Sequence, residues 1–345
     1  ELQKYIHSLF KNKNGSIVVL DVHNGEILAL ESSPNFDPNF FSSGFSQKEW
    51  NELISNPMSP LVNKSISGEY SPGSTFKLVV LFSGLINKAI KRNGTIQCSS
   101  KIKYGDRNFY CWCHKKKTGC FANYNNTRKV GPELAVAQSC DSFFYELAKK
   151  IGIEKIAETA KNFGLGSESG LNLKGEKKGL VPNKSWKRKY HKQSWKIGET
   201  MITGVGQGYL TTTPIQLATM TAMFANNGER IFPTIFKNPN EATSNDSGIF
   251  TRQTLNQKDS FSLIRRGMFS VVNKPFGTAY KSKLEKPIFA GKTGTVQVRT
   301  ITEEEREIGI IPNKDLPLER RDHAIFVGFA PYKNPKYAIS VVVEH

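Results

Sequence analysis

The chain contains no apolar run approaching the roughly 20 residues that a membrane-spanning helix requires. It has no internal repeat, which excludes solenoids and propellers. Acidic residues are scarce: 30 Asp and Glu stand against 48 Lys and Arg, a net charge of +18. That imbalance favours attraction to anionic polymers or lipid surfaces, although a Lys-rich solvated face is the plainer explanation. No nucleic-acid-binding motif accompanies the densest basic run, Lys184 to Lys196, despite its interleaved Trp and Tyr. The run is expected to be a surface loop leading into the next helix, and nucleic acid is not expected as a partner. Cysteine is missing outside positions 98–140. The chain begins at Glu1 without Met or a signal peptide, and stops just past an apolar strand. Both ends read as cuts in a longer protein, so a missing anchor carries no weight.

What is present suits a globular core. The 345 residues allow one large domain or two modest ones, and 38% hydrophobic content with 22 Phe argues against a disordered chain. Apolar Leu2, Ile6, Leu9 and Phe10 predict a short amphipathic helix. Two β-rich runs, Ser16–Asp21 and Glu26–Leu30, flank Asn24-Gly25, a strong hairpin signal. Helices are predicted for Ser74–Ile86, Gly131–Gln138, Asp141–Ile151, Ile153–Phe163 and Ser260–Val272. Thr213, Pro214 and Gln216 are placed for a capping box that starts a helix running to Ala225. Strands are expected at Pro287–Gly291, Ala324–Ala330 and Ala338–Val343, after a long charged loop holding Glu303 to Glu307. A hairpin at one end and strands at the other predict an α+β fold whose two ends share a sheet.

Three short segments carry chemistry. In Ser74-Thr75-Phe76-Lys77 the serine and lysine lie three apart, on one helix face. A serine hydroxyl needs a base beside it to act as a nucleophile, and Lys77 is the candidate. Pro72 and Gly73 read as a helix entry, which places Ser74 where free N–H groups favour negative charge. By itself this pattern is usually a solvated surface pair. Two further segments, Ser139-Cys140-Asp141 and Lys292-Thr293-Gly294-Thr295, change that reading. Ser139 can relay a proton to a leaving amine. Asp141 can accept hydrogen bonds from Lys77 or from substrate amides, and as a carboxylate it opposes Lys77 acting as base. Lys292 supplies a nearby positive charge and, with Thr293 or Thr295, can hold a substrate carboxylate. Gly291 and Gly294 suit close approach of a substrate backbone. The N–H groups of Ser74 and Thr295 form the expected oxyanion hole.

Together the three segments resemble the signature of penicillin-binding proteins and class A β-lactamases. The stretch from Gly206 to Ala218, with its Gly-Gln-Gly and Thr-Pro-Ile-Gln, is similar to class B penicillin-binding proteins, as is Asp21 to Ala29. Arg321 to Ala324, Phe329 to Pro331, the ending Val341 to His345, and Asp in place of Asn at 141 resemble the elongation branch. This resemblance implies a penicillin-binding/serine β-lactamase-like transpeptidase fold, with a five-stranded antiparallel sheet between helices plus an all-helical subdomain. The transpeptidase domain would span 1–345, with the helical subdomain at about 60–285, a cysteine-rich insertion at 93–128, and the family's anchor and pedestal absent. It implies a peptidoglycan D,D-transpeptidase that acylates Ser74 and crosslinks stem peptides during elongation. β-Lactams would acylate the same serine, and no cofactor would be needed for catalysis. It further implies a SEDS-type glycosyltransferase partner within the elongation complex, at the periplasmic face of a bacterial inner membrane. The competing readings are a serine β-lactamase or β-lactam sensor, for which no Glu in an obvious loop motif supplies a hydrolytic base, and a catalytically silent scaffold.

All five cysteines, Cys98, Cys111, Cys113, Cys120 and Cys140, lie in one segment with His114. Two disulfides plus a thiol would suit an oxidising compartment, whereas a closed tetrahedral zinc site takes four such ligands. The elongation branch implies zinc, and by position Cys98, Cys111, Cys120 and Cys140 are its expected ligands, with Cys113 and His114 as alternates.

Overall fold

A computed structural model describes residues 1–114, 129–237 and 255–345. Nine strands occur among them: β1 Gly15–Asp21, β2 Ile27–Ser33, β3 Ile96–Gln97, β4 Lys101–Tyr104, β5 Arg107–Tyr110, β6 Lys129–Val130, β7 Ala290–Val296, β8 His323–Ala330 and β9 Tyr337–Val343. Five form one antiparallel sheet in the order β2-β1-β9-β8-β7. The α+β class is therefore as expected, and the chain's two ends meet where Ile17 pairs with Val341. The Asn24-Gly25 turn joins β1 to β2; Gly25 has φ +79, and a Cβ there would lie 2.1 Å from the Phe232 carbonyl oxygen.

Alternation along the strands gives the sheet two apolar faces. Val18, Leu20, Ala338 and Val342 face the main core, where the helix Pro214–Ala225 is buried at all 12 positions. At its start Gln216 accepts the Thr213 N–H at 3.0 Å, one bond of the anticipated box. On the opposite face Ile6 and Phe10 of the helix Leu2–Phe10 cover Ile17, Val19 and Ala29. Residues 64–282 contribute most of the helices, and this layer also carries the small pairs β3–β6 and β4–β5.

Three local expectations change. The strand anticipated at Pro287–Gly291 is β7, shifted to run through Lys292-Thr293-Gly294. Its residues have weak strand preference, but pairing with β8 (Lys292 opposite Val327) decides the matter. The basic run is not a loop: Lys184–His191 is a helix, started by Asn183 Oδ1 accepting the Trp186 N–H at 2.8 Å. Within the charged loop, Glu303–Ile308 is helical behind a Thr302–Glu305 capping box.

Candidate active site

Ser74 sits on a 3-10 turn, Gly73–Thr75, ahead of the helix Lys77–Ile86. The helix is buried at eight of its positions, from Lys77 to Gly84, because its side chains are apolar nearly all round. Gly73 has φ +52, and a Cβ there would lie 2.8 Å from the Thr295 carbonyl oxygen. Only glycine lets the serine turn rest directly on β7. From the other side, a Cβ on Gly294 would meet Pro72 O and Thr75 Cγ2 at 3.2 Å. Gly294 thus accommodates the serine turn, and Gly291 accommodates the Phe326 ring, which would lie 2.2 Å from a Cβ there. Sheet and turn packing thus calls for small residues at both positions. Tyr70, four residues ahead of Ser74, donates its hydroxyl to Glu344, which also accepts from Asn14 Nδ2 at 2.6 Å. The serine turn is so tied to both ends of the chain.

Behind the turn lies a buried network. Lys77 Nζ donates to Asp141 Oδ1 at 2.6 Å, Ser139 O at 3.0 Å and Ser139 Oγ at 3.1 Å. Lys292 Nζ donates to Ser139 Oγ at 3.0 Å and Thr293 O at 2.9 Å. Both lysines are fully buried, so each hydrogen bond matters. None of the three Lys77 bonds goes to Ser74. The 3-10 turn offsets Ser74 from the α-helical pitch, and the carboxylate draws Lys77 towards residue 141. Lys292 faces Ser139 from inside rather than opening to the cleft. Ser139 holds the left-handed region at φ +53, a conformation that costs a non-glycine residue about 1 kcal/mol or more. Its carbonyl and hydroxyl both accept from Lys77, which holds it there.

Burial pushes Lys292 well below the usual lysine range, and the Lys77 charge adds to this. Burial also raises the Asp141 carboxyl; Lys77 pulls the other way, and the Trp112 N–H, donating to Oδ2 at 2.9 Å, does likewise.

In front of the network opens a cleft of ≈ 750 Å³, bordered by Ser74, Ser139, Asp141, Thr293, Gly294 and Thr295. The three motifs, far apart in the chain, therefore border one space. Three further residues at this cleft escaped the sequence reading. Thr278 shares a hydroxyl hydrogen bond of 2.7 Å with Thr293. Gln207 comes from the Gly-Gln-Gly stretch, which was its available signal. Trp112 lines the cleft and donates its indole N–H to Gln138 O at 2.9 Å. Its signal was its place between Cys111 and Cys113.

On the far side of Ser139-Cys140-Asp141, the sulfurs of Cys98, Cys111 and Cys140 lie within 4.8 Å of one another, all buried. Three thiolates on a tetrahedral zinc, with Zn–S about 2.3 Å, sit about 3.8 Å apart, so a small closure would seat the ion. Cys120 lies outside the described residues. Cys113 is buried nearby, and the His114 ring lies against Tyr110 at 4.8 Å.

The penicillin binding protein transpeptidase domain family matches residues 15–345. Among curated relatives, the peptidoglycan D,D-transpeptidase MrdA of Salmonella typhimurium is 33% identical over 354 residues, covering 100% of this chain and 54% of the relative. The chain thus spans about half the length of the curated relatives it matches. A solved complex between penicillin-binding protein PBP2 and MreC from Helicobacter pylori is similar with TM-score 0.86 and 35% identity, covering 100% of this chain and 58% of that one. Pseudomonas aeruginosa PBP2, solved with WCK 5153, gives TM-score 0.84 and 34% identity, covering 99% of this chain and 69% of that one. Matching sequence and fold along the whole chain, together with a shared cleft for its three motifs, place the chain in the penicillin-binding protein transpeptidase family, on the class B branch of penicillin-binding protein 2.

Proposed function

We propose that this chain is the acylating domain of a peptidoglycan D,D-transpeptidase of cell elongation. The observation that carries the reading is the contact between the Ser74 turn and β7, with Ser139 Oγ bonded to both lysines behind it. Ser74 Oγ attacks the carbonyl between two D-alanines of a stem peptide. The developing oxyanion is held by the N–H groups of Ser74 and Thr295, donors worth about 3–4 kcal/mol each in comparable acyl enzymes. Because Lys292 is depressed, a neutral amine is accessible within the network. The Ser74 proton passes to Lys77, which gives one of its own to Ser139 Oγ, whose hydroxyl proton goes to the neutral Lys292 amine. The same relay returns it to the departing D-alanine nitrogen as the C–N bond breaks. The amine of a neighbouring stem then attacks the ester carbonyl; its proton returns through the same relay to Ser74 Oγ as the ester C–O bond breaks, forming the crosslink. Thr293 and Thr295, with Thr278, receive the substrate carboxylate. Asp141 orients Lys77.

Zinc belongs to the proposal as a structural ion held by Cys98, Cys111 and Cys140, with Cys120, Cys113 or His114 as fourth ligand; it would tie the 98–114 segment to Ser139-Cys140-Asp141. The chain would work at the periplasmic face of the inner membrane, beside a SEDS-type glycosyltransferase. The complex of the Helicobacter relative with MreC supports a protein of that kind as a further partner. β-Lactams would mimic the D-alanyl substrate. The test supplies a D-Ala-D-Ala stem pentapeptide with an amine acceptor. Release of one D-alanine per crosslinked product, lost in Ser74→Ala, supports the reading; fast penicillin turnover without crosslinking would instead point to a β-lactamase.

A further inference from the structure

We propose that the helix Lys184–His191 presents a docking surface for the peptidoglycan strand, glycan together with its carboxylate-bearing stem peptides; this rests on the transpeptidase reading above. Between Lys177 and Gly198 the sequence holds no acidic residue. Lys184, Arg188, Lys189, Lys192 and Lys196 are all exposed, and none forms an ion pair among the described residues. Lys187 alone turns inward, where it is buried against Glu199 and fixes this helix to the next one, Ile197–Gly204. The outward charge is thus left uncompensated on a firmly held element, a field that gathers anionic polymers.

Aromatic rings sit among these charges. Trp186 packs against His191 at 4.9 Å, Tyr209 at 5.1 Å and Tyr190 at 6.1 Å. Tyr190 is 64% exposed, with the Lys189 ammonium 5.2 Å from its ring centre. A flat ring beside a cation matches a sugar with a stem peptide attached: the ring takes the C–H face of the sugar and the ammonium takes a carboxylate of the peptide. Membrane insertion suits this helix less well, because Trp186 is half-buried in the cluster and Tyr190 is left as its one exposed large ring.

The surface is continuous with the cleft. Tyr209 closes the aromatic cluster, and Gln207, two residues earlier, lines the cleft. Just before them Gly206 is locked to the serine turn, its carbonyl accepting the Gly73 N–H at 2.9 Å. A polymer lying on this helix therefore runs on to the rim beside Ser74.

The probe is purified, lipid-free peptidoglycan sacculi, with binding measured by co-sedimentation across a salt series. The variant Arg188→Glu/Lys189→Glu/Lys192→Glu is expected to bind about tenfold more weakly with a flatter salt dependence. A control with equal charge change elsewhere, Lys4→Glu/Lys11→Glu/Lys13→Glu, retains binding, as does Tyr190→Phe, whereas Tyr190→Ala loses several-fold. Thermal melting verifies that each variant is folded. Unchanged sacculus binding, equal losses in both charge variants, or a loss confined to phosphatidylglycerol vesicles or single-stranded DNA would overturn the proposal. Failure of the unaltered protein to form a penicillin adduct would defeat the transpeptidase reading instead, so the two failures are separable.

Discussion

The lysine network on one side of Ser139-Cys140-Asp141 and the sulfur cluster on the other use opposite chemistries within one tripeptide. Ser139 and Asp141 serve the lysines; Cys140, between them, faces Cys98 and Cys111. The lysine side is completed by the protein's own groups, since each ammonium finds oxygen acceptors in the motifs themselves. The sulfur side gathers three soft donors, an arrangement whose natural complement is a metal ion. Trp112 joins the two: it follows Cys111, and its N–H holds the Asp141 carboxylate that in turn holds Lys77. Under the proposed function the two divide the labour: one cluster would move protons and the other would fix the segment that positions them.

This division can be broken from either side. Lys77→Met should lower the rate of acylation by penicillin by about 10³-fold and also lower the melting temperature, because it removes the buried amine that links Ser139 to Asp141 behind the nucleophile. Lys292→Gln should cost about 10²-fold and also change the pH profile. A depressed pKa means the neutral amine appears at lower pH than for an ordinary lysine, so the unaltered rate should rise with pH below that range. In Lys292→Gln that rise should vanish; its persistence would remove Lys292 from the proton path. Cys140→Ser should release the metal, read as zinc per chain after purification without added zinc, and slow acylation about tenfold through the loosened Asp141. Metal content unchanged from the parent would count against the sulfur site. The smallest effect is expected for Trp112→Phe, which keeps the backbone N–H but deletes the indole bond to Gln138. A few-fold slower acylation, about 1 kcal/mol, is anticipated from the acylation rate.

Much of the site was legible because its chemistry is local. Three short segments each pair a reactive side chain with a defined neighbour, and the hairpin and terminal strands announce a sheet closed by both ends. The partner of Lys77 was less legible. A three-residue spacing assumes α-helical pitch, whereas the chain inserts a 3-10 turn at Gly73–Thr75, and the lysine turns to Asp141. The packing role of the β7 glycines was illegible for a similar reason: the crowding they relieve comes from Phe326 and the serine turn, contacts that only the folded chain creates. Thr278 had no pattern of its own and reaches the cleft through its pairing with Thr293. The helix in the basic run was illegible because dense charge masks its apolar spacing, and its cap at Asn183 shows only in the fold.

The most direct measurement is peptide mapping by mass spectrometry after brief exposure to penicillin. A stable single adduct on the peptide containing Ser74, absent from Ser74→Ala, is the predicted result. An adduct located on Ser139 or elsewhere, or none at all from folded protein, would contradict the account.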